Sequence, residues 1–146
     1  MFATFYQLYL QRRHDEKSLK PLVQIDLIDR NMVIAVHVQN NGVGPLIIDM
    51  LTFIKNGVSH ANIDDCLALD PKSYQRIPVA AFSQKVIVPG NYLEIFSMQC
   101  IENDTDEKIN NIKRQLAVLI LKVDGRDIYN NKVVAERDLN WFMRHL

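Results

Sequence analysis

Residues 22–39 read Leu22-Val23-Gln24-Ile25-Asp26-Leu27-Ile28-Asp29-Arg30-Asn31-Met32-Val33-Ile34-Ala35-Val36-His37-Val38-Gln39. Val23, Ile25 and Leu27 alternate with Gln24 and Asp26, the period of a strand with one face buried. Asp29-Arg30-Asn31 breaks the pattern as a tight turn. Alternation then resumes, with Met32, Ile34, Val36 and Val38 on the inward face and Val33, Ala35 and His37 on the other. The stretch predicts an antiparallel hairpin.

The flanking sequence extends this reading. Asn40-Asn41-Gly42-Val43-Gly44-Pro45 is turn chemistry: the glycines can take positive φ and Pro45 cannot donate to a ladder. Residues 46–55 form a long strand that is apolar on both faces, with Leu46, Ile48, Met50 and Ile54 on one and Ile47, Leu51 and Phe53 on the other. Asn56-Gly57 turns it into a short return at 58–60. Residues 62–69 predict one or two helical turns capped by Asn62, and 74–82 an irregular or edge strand interrupted by Pro78. Strands follow at 85–88, ended by Pro89-Gly90, and at 92–100. Residues 103–113 read as a loop or a short helix starting at Asp104 or Thr105. Strand 116–123 is the most apolar run and is again apolar on both faces. Asp124-Gly125 predicts a hairpin into a last strand at 127–137, before a tail carrying Trp141 and Phe142 that is open to a helical conformation. Seven or eight strands without a βαβ rhythm make the chain mainly β, an immunoglobulin-like antiparallel β-sandwich, with a closed barrel as the alternative. The two strands that are apolar on both faces need cover beyond the opposing sheet.

The whole chain has 146 residues, 48% of them hydrophobic, enough for one core. Lys plus Arg and Asp plus Glu are each 17, and the pI is near 6.9, which argues against nucleic-acid binding and against a disordered chain. Five Gly and five Pro exclude collagen-like and low-complexity architectures. Cys66 and Cys100 lack a CxxC pair, so a zinc ribbon or thioredoxin-like site is not expected, and two free thiols are favoured over one disulfide.

Residues 2–17 predict a helix without Pro or Gly, ended by 18–21 because Pro21 biases Lys20 away from the helical region. Phe2, Phe5, Tyr6 and Tyr9 recur at helical spacing. An apolar run precedes the basic cluster Arg12-Arg13-His14, the reverse of a signal peptide and the order in which a membrane helix enters the cytoplasm. The expectation is a domain boundary near residue 20. Residues 1–20 form the N-terminal helix, the end of a membrane anchor cut within or just after its span, and 21–146 form the sandwich. An amphipathic helix packed on the sheet satisfies the same residues. No run reaches the ~18 apolar residues of a spanning helix.

The other chemistry-bearing groups have structural readings. Gly42 to Gly44 is followed by Pro45 and a strand, not by the helix a phosphate cradle needs. His60, Asp64, Asp65 and Cys66 have zinc-ligand types at a spacing that matches no familiar site. Neither cysteine has a histidine neighbour fixed by sequence. Asp124, Asp127 and Glu136 make a carboxylate pair conceivable, but Asp124 reads as a turn residue. No catalytic, cofactor or metal residue is expected.

Three segments together resemble a group of small uncharacterised bacterial proteins with one N-terminal membrane helix and a β-rich soluble domain. They are Leu8-Tyr9-Leu10-Gln11-Arg12-Arg13-His14 with Ser18-Leu19-Lys20-Pro21, residues 38–48 around Asn40-Asn41-Gly42-Val43-Gly44-Pro45, and Asp124-Gly125-Arg126-Asp127-Ile128-Tyr129. The resemblance implies a membrane helix upstream and no reaction. The corner at 40–45 is also similar to corners in bacterial immunoglobulin-like adhesion modules. The expected function is therefore a non-enzymatic, membrane-tethered module at the inner membrane, its domain facing the cytoplasm. It would bind another protein or copies of itself, and no nucleic acid. Membrane attachment or self-association would rest on Phe2, Phe5, Tyr6, Tyr9, Arg12 and Arg13, with Lys17 and Lys20 adding charge for anionic lipid. The alternative is a small hydrolase or ligand-binding enzyme with a loop-built site.

Overall fold

The computed structural model describes residues 19–77 and 85–144. The segment expected to form an N-terminal helix, and with it Phe2, Phe5, Tyr6, Tyr9, Arg12 and Arg13, lies outside the described residues. The elements are β1 (Val23–Arg30), β2 (Val33–Asn40), β3 (Leu46–Lys55), β4 (Val58–His60), β5 (Gln75–Arg76), β6 (Lys85–Ile87), β7 (Tyr92–Gln99), helix α1 (Asp106–Ala117), β8 (Leu119–Arg126) and β9 (Lys132–Asp138). Two 3-10 turns, at Ile63–Asp65 and Leu139–Met143, complete the set. The fold is mainly β. One sheet has the order β1-β2-β7-β5; the other runs β4-β3-β8-β9, with β6 also paired to β3. Every pairing is antiparallel.

The opening hairpin forms as its alternation requires, pairing Val23 with Asn40 through to Arg30 with Val33. Its loop is only Asn31 and Met32, both at positive φ (52° and 63°), the geometry of a two-residue hairpin turn whose twist matches the strands. Met32 is consequently an exposed turn residue rather than the first member of the inward row. Ile25, Leu27, Ile34, Val36 and Val38 are buried as expected. They meet Leu46, Ile48, Leu51, Phe53, Leu119, Leu121 and Val123 of the other sheet in one core, which Phe96 and Phe142 help to fill.

The two-faced apolar pattern of β3 is resolved by a bulge. Its register against β8 slips between Ile48 and Met50. One extra residue there moves the buried row from even to odd positions. Leu46 and Ile48 point inward before the slip, Leu51 and Phe53 after it, and Met50 and Ile54 turn outward.

The segment read as one strand at 116–123 is divided. Thr105 caps a helix, its side chain accepting from the Lys108 amide at 3.2 Å, and Asp106 and Glu107 sit in the first turn. Ile112 and Leu116 are buried on its inner side, so Leu116 and Ala117 end α1 and β8 begins at Leu119. The expected hairpin at Asp124-Gly125 is also corrected: both residues lie within β8, and the connection to β9 is 127–131. Gly125 is there for close approach, since a Cβ would stand 2.5 Å from the Ile47 carbonyl oxygen.

Candidate functional site

The corner at 40–45 is a structural knot. Asn40 is fully buried, and its Nδ2 donates to the Gly44 carbonyl at 2.8 Å and the Ile87 carbonyl at 2.9 Å. Its Oδ1 accepts from the amides of Leu22 (3.2 Å) and Gly42 (3.0 Å). All the side chain's hydrogen-bonding capacity is used on backbone. Gly42 and Gly44 do not take positive φ, contrary to expectation. They are small because residues 19–22 cross them: a Cβ on Gly44 would sit 1.8 Å from the Leu19 carbonyl oxygen. No phosphate cradle is formed.

The other clusters are accounted for similarly. Asp64 is taken by the Tyr74 hydroxyl and by Arg76, whose Nε lies 2.6 Å away. Burial, then the bond to Asp64, pushes the Tyr74 hydroxyl well above its ordinary range. Among the described residues no group of three or more side chains is arranged to hold a metal. Asp127 is buried and closes its own loop, accepting from the amides of Tyr129 (2.9 Å) and Asn131 (2.8 Å) and from Asn131 Nδ2 (3.0 Å). Burial alone would raise its pKa, but these bonds and the charge of Lys20 outweigh it and hold the carboxyl below its ordinary value. It is therefore not half of a carboxylate pair with Asp124 or Glu136. Cys66 and Cys100 are free and buried, and burial raises both thiols.

The structure assembles a constellation on the outer face of the first sheet instead. The register places Asp26, His37 and Glu94 in one row across β1, β2 and β7. His37 Nε2 lies 3.3 Å from Glu94 Oε1, and its ring stacks on Tyr92 at 4.3 Å between centroids. A groove of about 690 Å³ opens beside them. Its wall includes five consecutive residues of β1, from Asp26 to Arg30, together with His37, Gln39, Tyr92, Trp141 and Arg144. The Arg144 guanidinium sits 3.4 Å above the Trp141 ring and 3.6 Å from Asp29, to which Lys113 Nζ is also bound at 3.0 Å. Those contacts fix the C-terminal turn beside the edge of the first sheet.

β1 is that edge. A two-residue hairpin makes Arg30–Val33 a hydrogen-bonded pair, so in β1 the even-numbered residues turn their backbone groups to β2 and the odd-numbered ones turn theirs outward. The Ile25 carbonyl accepts from Arg137 across the gap. Among the described residues no strand pairs with β1 on this side, which leaves the Leu27 and Asp29 backbone facing the groove.

The outward placement of His37 and Asp26 was legible from alternation, and the Asp29-Arg30-Asn31 turn signal set their pairing within a residue. Glu94 and Trp141 carried no local signal, because only tertiary structure sets Glu94 beside His37 and Trp141 in the groove wall. Among the described residues no helix is long and apolar enough to cross a membrane. No family model and no curated protein matches the chain.

Proposed function

We propose that this chain is a membrane-tethered immunoglobulin-like β-sandwich that acts by holding an extended segment of another protein, not by catalysis. The strand order supports the fold reading. With β1 as strand A, β1-β2-β7-β5 corresponds to ABED and β4-β3-β8-β9 to C′CFG. The tether is the N-terminal helix, with Phe2, Phe5, Tyr6 and Tyr9 as its apolar stripe. Arg12 and Arg13 lie at the water boundary on the cytoplasmic side of the inner membrane.

The observation that carries the binding role is the groove beside β1, an edge strand that on this side pairs with no other strand among the described residues. Edge N–H and C=O groups add a partner strand through main-chain bonds, while flanking pockets read its side chains. Trp141, Tyr92, Arg30 and Arg144 are the residue types that anchor protein partners most strongly. The hydrolase reading has one observation in its favour, the carboxylate–histidine–carboxylate row, but no Ser, Thr, Cys or Lys is among the groove-lining residues.

Trp141 is the sole tryptophan, so its fluorescence reports the groove. Peptides selected from a random library against the full chain should shift Trp141 emission to the blue, and Arg30→Glu should weaken their binding about tenfold or more, as loss of an anchoring arginine does. Peptides that bind without affecting Trp141 would refute the groove as the site. Ester or amide hydrolysis abolished by His37→Asn would establish the enzyme instead.

A further inference from the structure

The chain enters the fold at one end of the two sheets, through residues 19–22. Three connections gather at the same end: 41–45, 88–91 and 127–131. They are tied to each other and to the entering segment. Gly90 N donates to the Asn40 carbonyl at 2.8 Å, Val43 N donates to the Lys20 carbonyl at 3.1 Å, and Lys20 bears on Asp127. Each connection and the entering segment present an apolar tip. Leu22 is 62% exposed, Val43 65%, Val88 48% and Ile128 49%.

The same end is depleted in charge. Across these segments the only carboxylate is Asp127, which is 1% exposed and held by its own loop. The remaining polar residues are Lys20, Tyr129 and neutral asparagines. The opposite end also exposes apolar side chains, Met32 at 44% and Ile101 at 61%, but there they stand near the carboxylates Glu102, Asp104, Asp106 and Glu107, which follow β7. Apolar tips without exposed carboxylate, beside a lysine, suit the headgroup boundary of an anionic bilayer.

We propose that this end of the domain docks on the lipid surface, with Leu22, Val43, Val88 and Ile128 entering the boundary between headgroups and acyl chains. The inference rests on the tether reading above and extends it by fixing the domain's orientation. Chain length favours lipid over a protein partner at this end. Leu19 lies six residue steps beyond Arg13, and a fully extended chain covers about 3.3–3.6 Å per step, so the end cannot stand more than roughly 20 Å from a water boundary marked by Arg13. In this orientation the edge of β1 runs up from the membrane, and its groove stays open to a partner in water.

The test uses the full chain and vesicles of phosphatidylcholine with phosphatidylglycerol. A bimane fluorophore is attached in turn to V43C, I128C, M32C and I101C variants, the last two marking the opposite end; the native thiols are buried. Brominated acyl chains should quench and blue-shift the label at positions 43 and 128 and leave it unchanged at 32 and 101. Vesicle flotation is measured on the same samples. A chain that floats but shows equal quenching at both ends, or none, overturns the docking while leaving the tether reading intact. A chain that does not float overturns the tether reading, and the docking with it. A blue shift at position 43 without lipid, in a chain that sediments as a dimer, makes this end a protein contact and also overturns the proposal.

Discussion

Asn40 and Asp127 tie backbone segments together through side chains that solvent does not reach. Replacing Asn40 with Ala strands two amides and two carbonyls, and each buried polar group left unpaired costs about 1–3 kcal/mol. Asn40→Ala should therefore lose about 3 kcal/mol or more of stability in urea melts. Asn40→Asp is the sharper probe. As a carboxylate it would face the Gly44 and Ile87 carbonyl oxygens, so its folded pKa would be raised above the unfolded value. Its stability should be lowest at neutral pH and recover as pH falls toward ~4, where the protonated acid can again donate to a carbonyl. For Asp127 the sign is opposite. Its folded pKa is depressed, so its contribution is present above the unfolded value near ~3.9 and lost as pH falls through the folded value. Asp127→Asn should flatten that acid limb of the stability–pH curve, and an unchanged limb would mean that the loop hydrogen bonds do not depend on the carboxylate charge.

Among the elements, α1 and β8 are where a local signal and a tertiary one compete. α1 depends on its cap. Thr105→Ala should cost about 1 kcal/mol and should not alter the strand content seen by circular dichroism. Gly125 has the reverse dependence. Its substitution by Val would improve strand propensity but drive a side chain into the Ile47 carbonyl, so Gly125→Val should destabilise by at least about 1–3 kcal/mol, the overpacking range. A stabilised variant would show that β3 and β8 can separate at this point. The bulge in β3 belongs to the same scale. It keeps Leu46, Ile48, Leu51 and Phe53 in one buried row although they do not share one parity.

At the scale of the molecule, the two sheets close around Cys66 and Cys100 and leave both thiols free. Burial raises each pKa, so folding keeps the neutral form and suppresses the reactive thiolate. Ellman's reagent should react slowly with the native protein at neutral pH and promptly with two thiols after denaturation. The unfolded thiols ionise first, so the stability they allow is complete below about pH 8.5 and declines as pH rises through the folded values. Rapid reaction of either cysteine in native protein would mean that the core opens locally around it.

Alternation and turn residues in the sequence determined the hairpin of β1 and β2, the limits of β3, and the return at Asn56-Gly57, because these depend on neighbours within a few residues. Those signals also determined the outward aspect of Asp26 and His37 and the absence of a βαβ rhythm. Tertiary structure decided the rest. Leu116 fits a strand by alternation and a helix by burial, and packing assigned it to α1. Gly125 resembles a turn residue until β3 is laid beside it. Asn40 looks like another loop asparagine until four backbone groups converge on its carboxamide. The groove joins β1, β2, β7 and the C-terminal turn across more than a hundred residues of chain. No local pattern encodes such a meeting, because it exists only once the sheets have paired and the core has fixed their edges.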